Sequence, residues 1–357
     1  MPTSVLFIGD PHFQVNNIPE VELFMERIIN LATEKQPDRI VIAGDILHTH
    51  ERLHTLALNK AYELVDNMRM ISKTYVLVGN HDYISNQQFL TDNHWMNGMK
   101  EWKNTVIVDS VLSEVVNEEK FVFVPYVSPG RFEEALNTLG DKWQDASCIF
   151  GHQEFAGCKM GAIISVEGDK WSLDSPYVVS GHIHSRQMPQ KNIYYSGSAM
   201  QHAFGESEKN IIPYLTFRGK SYECEEIDLK LPRKKIVYMD VDDIDNYEVP
   251  KTDDTIKVTV SGNYDEFKAL KKTKKYKNLL EQGVKVVFKP KKLNKTKKEV
   301  NKEGAEVDIV DEVQSNGTDF KTILSSIITD CKNPYLLKAY ELIVNGKEMA
   351  VDDVIFL

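Results

Sequence analysis

Short apolar runs alternate with amphipathic segments over the first part of the chain. The runs at 5–8, 39–43 and 74–78 predict strands, and segments 21–34 and 56–68 carry apolar residues at helical spacing. These strands are apolar on both faces, which is typical of a parallel sheet covered by helices. The pattern therefore predicts a β-α-β-α-β unit, and such sheets bind ligands beyond the carboxyl ends of their strands.

After residue 104 the apolar runs become shorter and follow one another closely, with one helical segment at 131–139. We expect these runs to form a second sheet packed on the first. The fold class predicted is thus α/β, with a two-sheet β-sandwich flanked by helices. The predicted strands of the second sheet are 105–108, 121–125, 148–150, 177–180, 193–195, 213–217, 221–227 and 235–239.

The pattern changes again near residue 240. Strands at 255–260 and 284–288 enclose a helix at 264–270, which predicts a small β-α-β unit. A lysine-rich stretch with few apolar residues follows, and two amphipathic segments (319–331 and 334–344) end the chain. The predicted domains are a large domain (1–240), a small domain (241–290), a flexible Lys-rich linker (291–317) and a helical segment (318–357).

Composition argues against several classes of protein. The net charge of -10 argues against a uniformly basic nucleic-acid coat, although a local basic patch stays possible. No apolar run approaches the roughly 20 residues of a membrane span, and no signal peptide is recognisable, so we expect no membrane contact and no secretion. The four cysteines include no C-x-x-C pair, which predicts reduced thiols in a cytoplasmic or nuclear compartment.

Side chains that bind metals follow five of the predicted strands. Asp10 and His12, at positions i and i+2, point the same way and can hold one ion. Asp45 has two carboxylate oxygens and can bridge two cations, while Asn80 offers a neutral oxygen. The remaining candidates are His152, His182 and His184.

Taken singly, each motif has an ordinary structural explanation, such as a surface turn, a helix cap or a buried histidine. Six histidines at five strand ends favour a metal site instead. The mixed nitrogen and oxygen set, without thiolate, suits two divalent ions such as Mn²⁺, Fe or Zn better than Mg²⁺ or Ca²⁺, and we expect Mn²⁺. Two such ions favour phosphoester hydrolysis, with His81 turned toward the leaving group.

These motifs, in this order, resemble those of the calcineurin-like metallophosphoesterase superfamily over residues 4–205. The resemblance implies one metal held by Asp10, His12, Asp45 and His184. It implies a second metal held by Asp45, Asn80, His152 and His182, and a catalytic role for His81 as general acid or phosphate-orienting residue.

The chain resembles more closely the SbcD-type, or Mre (meiotic recombination), nucleases of DNA double-strand-break repair. His48 lies three residues after Asp45, as in that family, and segment 195–206 is similar to the family's segment after the last metal motif. The resemblance implies that His48 assists exonuclease chemistry and that the small domain is a cap that helps to seat DNA. It further implies a homodimer, tail helices that bind an SbcC-type SMC-like ATPase, and, from the compact length, a phage or large-virus member.

Other features stay open. Segment 268–302 carries 14 lysines of the 43 Lys and Arg residues, and it is either a phosphate-tracking surface or a solvated linker. Block 86–95 either shapes the substrate cleft or caps a helix. A phosphatase or phosphodiesterase acting on a small molecule or phosphoprotein would use the same metals, and a non-enzymatic scaffold would have lost ligands. The predicted substrate-binding residues are Arg186, Lys271, Lys272, Lys274 and Lys275.

Overall fold

The structure is a computed structural model, and its contacts divide the chain into two units, Met1–Lys291 and Lys292–Leu357. The residues described are 2–50, 52–219 and 221–291, together with Lys298–Val300, Glu306–Asp308, Ile328 and Tyr340.

The first unit contains strands and helices in the following order. Its strands are β1 (Thr3–Ile8), β2 (Arg39–Ile42), β3 (Thr74–Leu77), β4 (Thr105–Val108), β5 (Leu112–Val116), β6 (Glu119–Phe123), β7 (Cys148–His152), β8 (Lys159–Met160), β9 (Ile163–Ile164), β10 (Val178–Gly181), β11 (Gln187–Gln190), β12 (Ile193–Tyr195), β13 (Ile212–Arg218), β14 (Ser221–Ile227), β15 (Lys234–Asp240), β16 (Thr255–Gly262) and β17 (Lys285–Pro290). Its helices are α1 (Ile18–Lys35), α2 (Thr55–Ile71), α3 (Phe132–Leu136), α4 (Tyr264–Leu270) and α5 (Lys274–Glu281), with 3-10 helices at Val15–Asn17, Trp95–Met99, Asn137–Trp143 and Val241–Asn246.

The first sheet has the order β14-β13-β1-β2-β3-β4, and strands β1 to β4 run parallel. Its strands are buried on both faces because alternate side chains enter two different cores. Leu6 and Ile8 pack with the apolar faces of α1 and α2, whereas Val5 and Phe7 face the second sheet. This double burial explains the continuous apolar runs in the sequence.

The second sheet has the order β11-β12-β10-β7-β6-β5. Tyr75 of the first sheet stacks on Phe123 of the second, with ring centroids 3.9 Å apart. On its other face, Val122 and Ile149 pack with Phe132 of α3. The layers are therefore helix, sheet, sheet and helix, which confirms the predicted α/β sandwich.

Three strands that we predicted in the second sheet belong to the first. β4 pairs parallel to β3, β13 pairs antiparallel to β1, and β14 pairs with β13. The prediction of sheet membership was wrong because an apolar run identifies a strand but not its partner. We did not predict β5, β8, β9 and β11, whose residues are largely exposed or polar and give no clear alternation.

A third sheet, β15-β16-β17, is parallel throughout and packs on α4 and α5. β15 is the predicted strand 235–239, which we had placed in the second sheet and inside the large domain. It pairs instead with β16, so the small sheet begins at Lys234. Helix α5 was also not predicted, because its many lysines leave too few apolar positions to show helical spacing. In the structure Leu279 is its buried residue, and Thr273 caps its first turn.

In the second unit, Lys298–Val300 pairs antiparallel with Glu306–Asp308, within the predicted linker. The predicted tail helices, 319–331 and 334–344, lie outside the described residues except for the helical positions Ile328 and Tyr340.

Candidate metal centre

The seven predicted metal ligands all lie at carboxyl ends of parallel strands. The first sheet supplies four of them after β1, β2 and β3, and the second sheet supplies three at the ends of β7 and β10. In the same order along the chain they are Asp10, His12, Asp45, Asn80, His152, His182 and His184.

Several ligands have unusual backbone conformations. Asp10, His12, Asp45 and His182 have φ values of 26°, 47°, 47° and 77°. Non-glycine residues adopt this left-handed region at a cost of about 1–3 kcal/mol each, and such strain clusters at functional sites. The turns after the strands thus direct these side chains toward the centre, and the backbone is strained at those positions.

Two glycines allow the ligand loops to approach one another. A Cβ on Gly181 would lie 2.7 Å from Oδ1 of Asp10 and 3.0 Å from Nδ1 of His152. A Cβ on Gly79 would collide with the carboxylate of Asp45. The glycines that precede Asn80 and His182 are therefore required by close packing of the loops.

One group of ligands forms around His12. Its Nε2 lies 3.0 Å from Nε2 of His184 and 3.6 Å from Oδ2 of Asp45. Asp10 is fully buried, and its Oδ1 accepts a hydrogen bond of 3.2 Å from the backbone amide of His182. His12, Asp45 and His184 of the predicted first set are thus close together, while Asp10 contacts the backbone of His182.

The second group forms around Asn80. Its Oδ1 lies 2.9 Å from Nδ1 of His182 and 3.0 Å from Nε2 of His152. Oδ2 of Asp45 lies 3.3 Å from the same His152 nitrogen, so this one oxygen stands between the two groups. Nδ1 of His152 lies 2.7 Å from the carbonyl oxygen of Ala43, which orients Nε2 toward the centre.

The unsatisfied atoms of the centre test whether a cation fits. Oδ2 of Asp10 is buried and has no hydrogen-bond partner among the described residues, and the same holds for Nδ1 of His12. Buried polar atoms without partners are rare, and a carboxylate oxygen of this kind is a ready ligand for a cation. Asp10, Asp45 and His152 also place donor atoms within 4.8 Å of one another. The residues present therefore fit a divalent metal.

His48 and His81 join a further cluster with His12, whose donor atoms also lie within 4.8 Å of one another. We had predicted His81 and His48 as catalytic residues rather than ligands. Nδ1 of His81 lies 2.7 Å from the carbonyl oxygen of His48, and the backbone amide of His81 donates to Oδ1 of Asp45 at 2.8 Å. These contacts place His81 beside the bridging carboxylate.

The protonation of the ligands reflects burial and their neighbours. Burial, reinforced by His152, lowers the pKa of His182 to about 3. Burial alone would raise the pKa of Asp45, but the neighbouring His152 and His12 hold it well below its usual value. Burial likewise opposes protonation of His152, yet Asp45 and Asp10 raise its pKa to about 9. His152 must therefore release a proton to bind a metal, whereas His182 and Asp45 are already in their ligand forms.

A second layer of polar residues orients the ligands, and sequence reasoning assigned it no role. Asp82 accepts hydrogen bonds from the backbone amides of Asp45 and Gly79 at 2.7 and 3.0 Å. Burial and the charge of Asp45 raise the pKa of Asp82 to about 7. In the sequence, only the position of Asp82 next to His81 indicated that it could belong to the site.

Glu206 and His202 support the first group. Glu206 lies 3.5 Å from Nδ1 of His184 and accepts a 2.8 Å hydrogen bond from the backbone amide of His202. Nε2 of His202 lies 2.9 Å from the carbonyl oxygen of Asp10. We had included Glu206 in the segment that resembles the nuclease family but had given neither residue a function.

Block 86–95 has one of the two roles that we left open, because His94 caps the 3-10 helix that begins at Trp95 through a 3.1 Å hydrogen bond from Met96. Asn86 and Gln87 line a surface cleft, and a part of that cleft in substrate binding stays a prediction. The indole of Trp95 donates to Asp82 at 2.9 Å and so supports the second layer.

The predicted substrate-binding residues lie outside this centre. Nε of Arg186 donates to Glu226 at 2.7 Å, so any phosphate contact would compete with that carboxylate. Lys271 and Lys272 follow α4, and Lys274 and Lys275 begin α5 in the small domain. Their contact with DNA stays a prediction.

A cleft of about 550 Å³ opens onto the centre and is lined by His182, His184, Glu206 and Phe204. The third sheet reaches this cleft. Nζ of Lys257 and of Lys285, on β16 and β17, lie 4.8 and 5.4 Å from the centroid of the Phe204 ring.

Two features bear on the surroundings of the protein. Within the described residues, no helix combines the length and apolar character that crossing a bilayer requires. Cys148 and Cys158 are buried free thiols and Cys224 is an exposed one, while Cys331 lies outside the described residues.

Comparison with known proteins places this architecture in a family. Residues 3–186 match the model of the calcineurin-like phosphoesterases. The chain is 49% identical over 291 residues to "Putative phosphoesterase 078R" of Invertebrate iridescent virus 3, covering 80% of this chain and 84% of that one. It is 50% identical over 277 residues to "Putative phosphoesterase 244L" of Invertebrate iridescent virus 6, covering 76% and 98%.

A solved structure, a hypothetical protein from Thermus thermophilus, is 15% identical with a TM-score of 0.38, covering 63% of this chain and 100% of that one. That likeness is too distant to inform substrate or partner. The family match spans the strands that carry all seven ligands, and the two viral relatives cover most of the chain. The protein thus belongs to the calcineurin-like phosphoesterases, a family of metal-dependent hydrolases.

Proposed function

We propose that this phosphoesterase is an SbcD-type nuclease that hydrolyses phosphodiester bonds at DNA ends in double-strand-break repair, recombination or replication. It would use two divalent ions, Mn²⁺ in the first place and Fe or Zn as alternatives. The alternative substrate is a small phosphoester or a phosphoprotein.

The observation that carries the proposal is the position of Lys257 and Lys285. Both ammonium groups stand over Phe204, and Phe204 lines the cleft that contains the ligands His182 and His184. A small phosphoester ends within such a cleft, whereas a polynucleotide continues past it and carries further phosphates. Cations from the small domain at the cleft favour a polyanionic strand, because phosphate contacts dominate nucleic-acid affinity.

The side chains have separate parts in hydrolysis. Bound divalent ions would polarise the phosphate and supply a nucleophilic hydroxide at neutral pH. Asp45 joins both ligand groups, and its backbone-bonded Oδ1 fixes the loop that carries His81. His81, held at the carbonyl of His48, protonates the leaving oxygen, and His48 keeps that ring in place.

Cleavage assays with the full chain and added Mn²⁺ test this function. Linear duplex DNA should be degraded from its ends while a covalently closed circle of the same sequence stays intact. An Asp45→Asn protein purified in parallel should be inactive, which excludes a contaminating nuclease. Absence of DNA cleavage, with or without an SbcC-type ATPase, together with rapid turnover of p-nitrophenyl phosphate would overturn the proposal.

The partners are a separate proposal. An SbcC-type ATPase would bind through segment 318–357, of which the structure describes only Ile328 and Tyr340, and the catalytic chain would form a homodimer. Sedimentation of the full chain and of a chain ending at residue 317, each with and without the ATPase, tests both statements. A monomer that does not bind the ATPase would contradict them.

A further inference from the structure

A second cleft lies beside His48 and His50, and of its lining residues the mechanism above uses only His48. Its volume is about 850 Å³, within the range of ligand sites. One wall comes from the loop after β2 and the other from the loop after β3. The lining residues that matter here are His48, His50, Arg52, Ile84, Asn86 and Gln87.

Three imidazoles connect this cleft to the centre. The ring of His81 is nearly parallel to those of His48 and His50, with centroid distances of 5.7 and 4.6 Å and interplanar angles of 18° and 15°. Both His48 and His50 line the cleft. Whatever occupies the cleft therefore lies next to the residue that protonates the leaving group.

The polar groups of the cleft point to its ligand. Arg52 is exposed, and no carboxylate of the described residues lies within ion-pair distance of it, whereas Arg186 and Arg131 each bind a glutamate. Nδ1 of His50 is buried and finds no partner within the described part of the chain. The hydroxyl of Thr49 donates a 2.8 Å hydrogen bond to the backbone carbonyl oxygen of Arg52.

The opposite wall is suited to a nucleotide. Asn86 and Gln87 are exposed amides, which donate and accept hydrogen bonds at base edges or sugar hydroxyls. Ile84 is 54% exposed and offers an apolar surface against a base. Guanidinium groups bind phosphate in a forked, charge-assisted geometry, which favours an anionic ligand at Arg52.

We propose that this cleft is the subsite for the nucleotide on the leaving-group side of the scissile bond, with Arg52 binding that nucleotide's next phosphate. The subsite rests on the proposed nuclease function. At this subsite the chain would recognise the part of the strand beyond the reacting phosphate.

Dinucleotide substrates test the subsite. The unphosphorylated TpT is compared with pTpT and TpTp, and the readout is the ratio of kcat/KM for a phosphorylated substrate to that for TpT. The wild-type enzyme should prefer one of the phosphorylated substrates, and Arg52→Gln should reduce that preference about 10- to 100-fold, as for loss of one charge-assisted bond. Arg69→Gln, an arginine of α2 paired with Asp66, is the matched control and should retain the preference.

The outcomes separate the subsite from the function on which it rests. A wild-type enzyme without preference, or an unchanged preference in Arg52→Gln, would overturn the subsite while leaving the nuclease intact. Turnover of bis(p-nitrophenyl) phosphate without cleavage of any dinucleotide or DNA would overturn both. Thermal unfolding of each variant checks that the loop change leaves the fold stable.

Discussion

A single substitution can decide whether His81 is a general acid or a metal ligand. Both roles are open because its ring lies beside His12, a predicted ligand, and His48, a predicted catalytic residue. If it is the general acid, His81→Ala should lower kcat about 100- to 10,000-fold. Metal content, measured by atomic emission, should stay at the wild-type level. His54→Asn is a suitable control, since His54 only caps α2. Loss of metal from the His81 variant would instead make it a ligand, as its cluster with His12 and His48 permits.

Glu206 lies 3.5 Å from Nδ1 of His184, a predicted metal ligand, and we expect it to support metal binding through that ring. A carboxylate behind a ligand imidazole fixes its orientation and raises its basicity, and removing it weakens metal binding by about 10- to 100-fold. We expect this loss for Glu206→Gln in calorimetric titration with Mn²⁺. Glu208→Gln, two residues away and exposed, should bind as the wild type does. Equal affinities for the two variants would show that Glu206 has no part in holding the metal.

Among the elements, β5 is tied to the first sheet by one charged residue. Glu114 accepts from Arg39 at 2.9 Å and from Lys73 at 2.7 Å, and Tyr75 also donates to it. Burial would raise the pKa of Glu114, but these partners outweigh it and lower the pKa from 4.5 to about 2. The sandwich is thus joined at this position by an ion pair as well as by its apolar core.

The depressed pKa makes part of the stability acid-sensitive. Because the folded carboxyl has the lower pKa, its stabilisation is complete above about pH 4.5 and is lost as pH falls toward 2. Allowing for partial solvent screening, we expect Glu114 to contribute about 1–2 kcal/mol to the free energy of unfolding at neutral pH. Urea unfolding between pH 7 and pH 3 should show a smaller decrease for Glu114→Gln than for the exposed control Glu223→Gln. Parallel decreases in the two proteins would contradict this role.

How well an element could be predicted depended on what it buries. Strands β1, β2 and β3 fill two cores at once, so their apolar runs were unmistakable. β8, β9 and β11 bury little and left no pattern. Pairing was harder to predict than strand position, since β15 pairs with β16 through contacts between residues about 20 positions apart.

At the scale of the whole molecule, the third sheet places Lys257 and Lys285 at the cleft beside the candidate metal centre. If DNA passes over Phe204, the Lys257→Ala, Lys285→Ala double variant should reduce the salt dependence of duplex binding. Two lost phosphate contacts lower the slope of log K against log salt by about 2. The matched variant Lys274→Ala, Lys275→Ala removes the same charge from α5. A larger effect of that control would place the DNA path over α5, as the sequence had suggested.

The sequence by itself determined which side chains converge at the centre. The seven predicted ligands follow strand ends, and because parallel strands end at a common edge, their convergence could be predicted without a structure. Tertiary structure alone decided what surrounds them: Glu206 behind His184, Asp82 behind Asp45, Arg52 beside the imidazole stack, and Lys257 with Lys285 at the cleft. Such contacts join side chains that are far apart in the sequence. The spacing and periodicity of residues predict local elements but not which of their surfaces pack together.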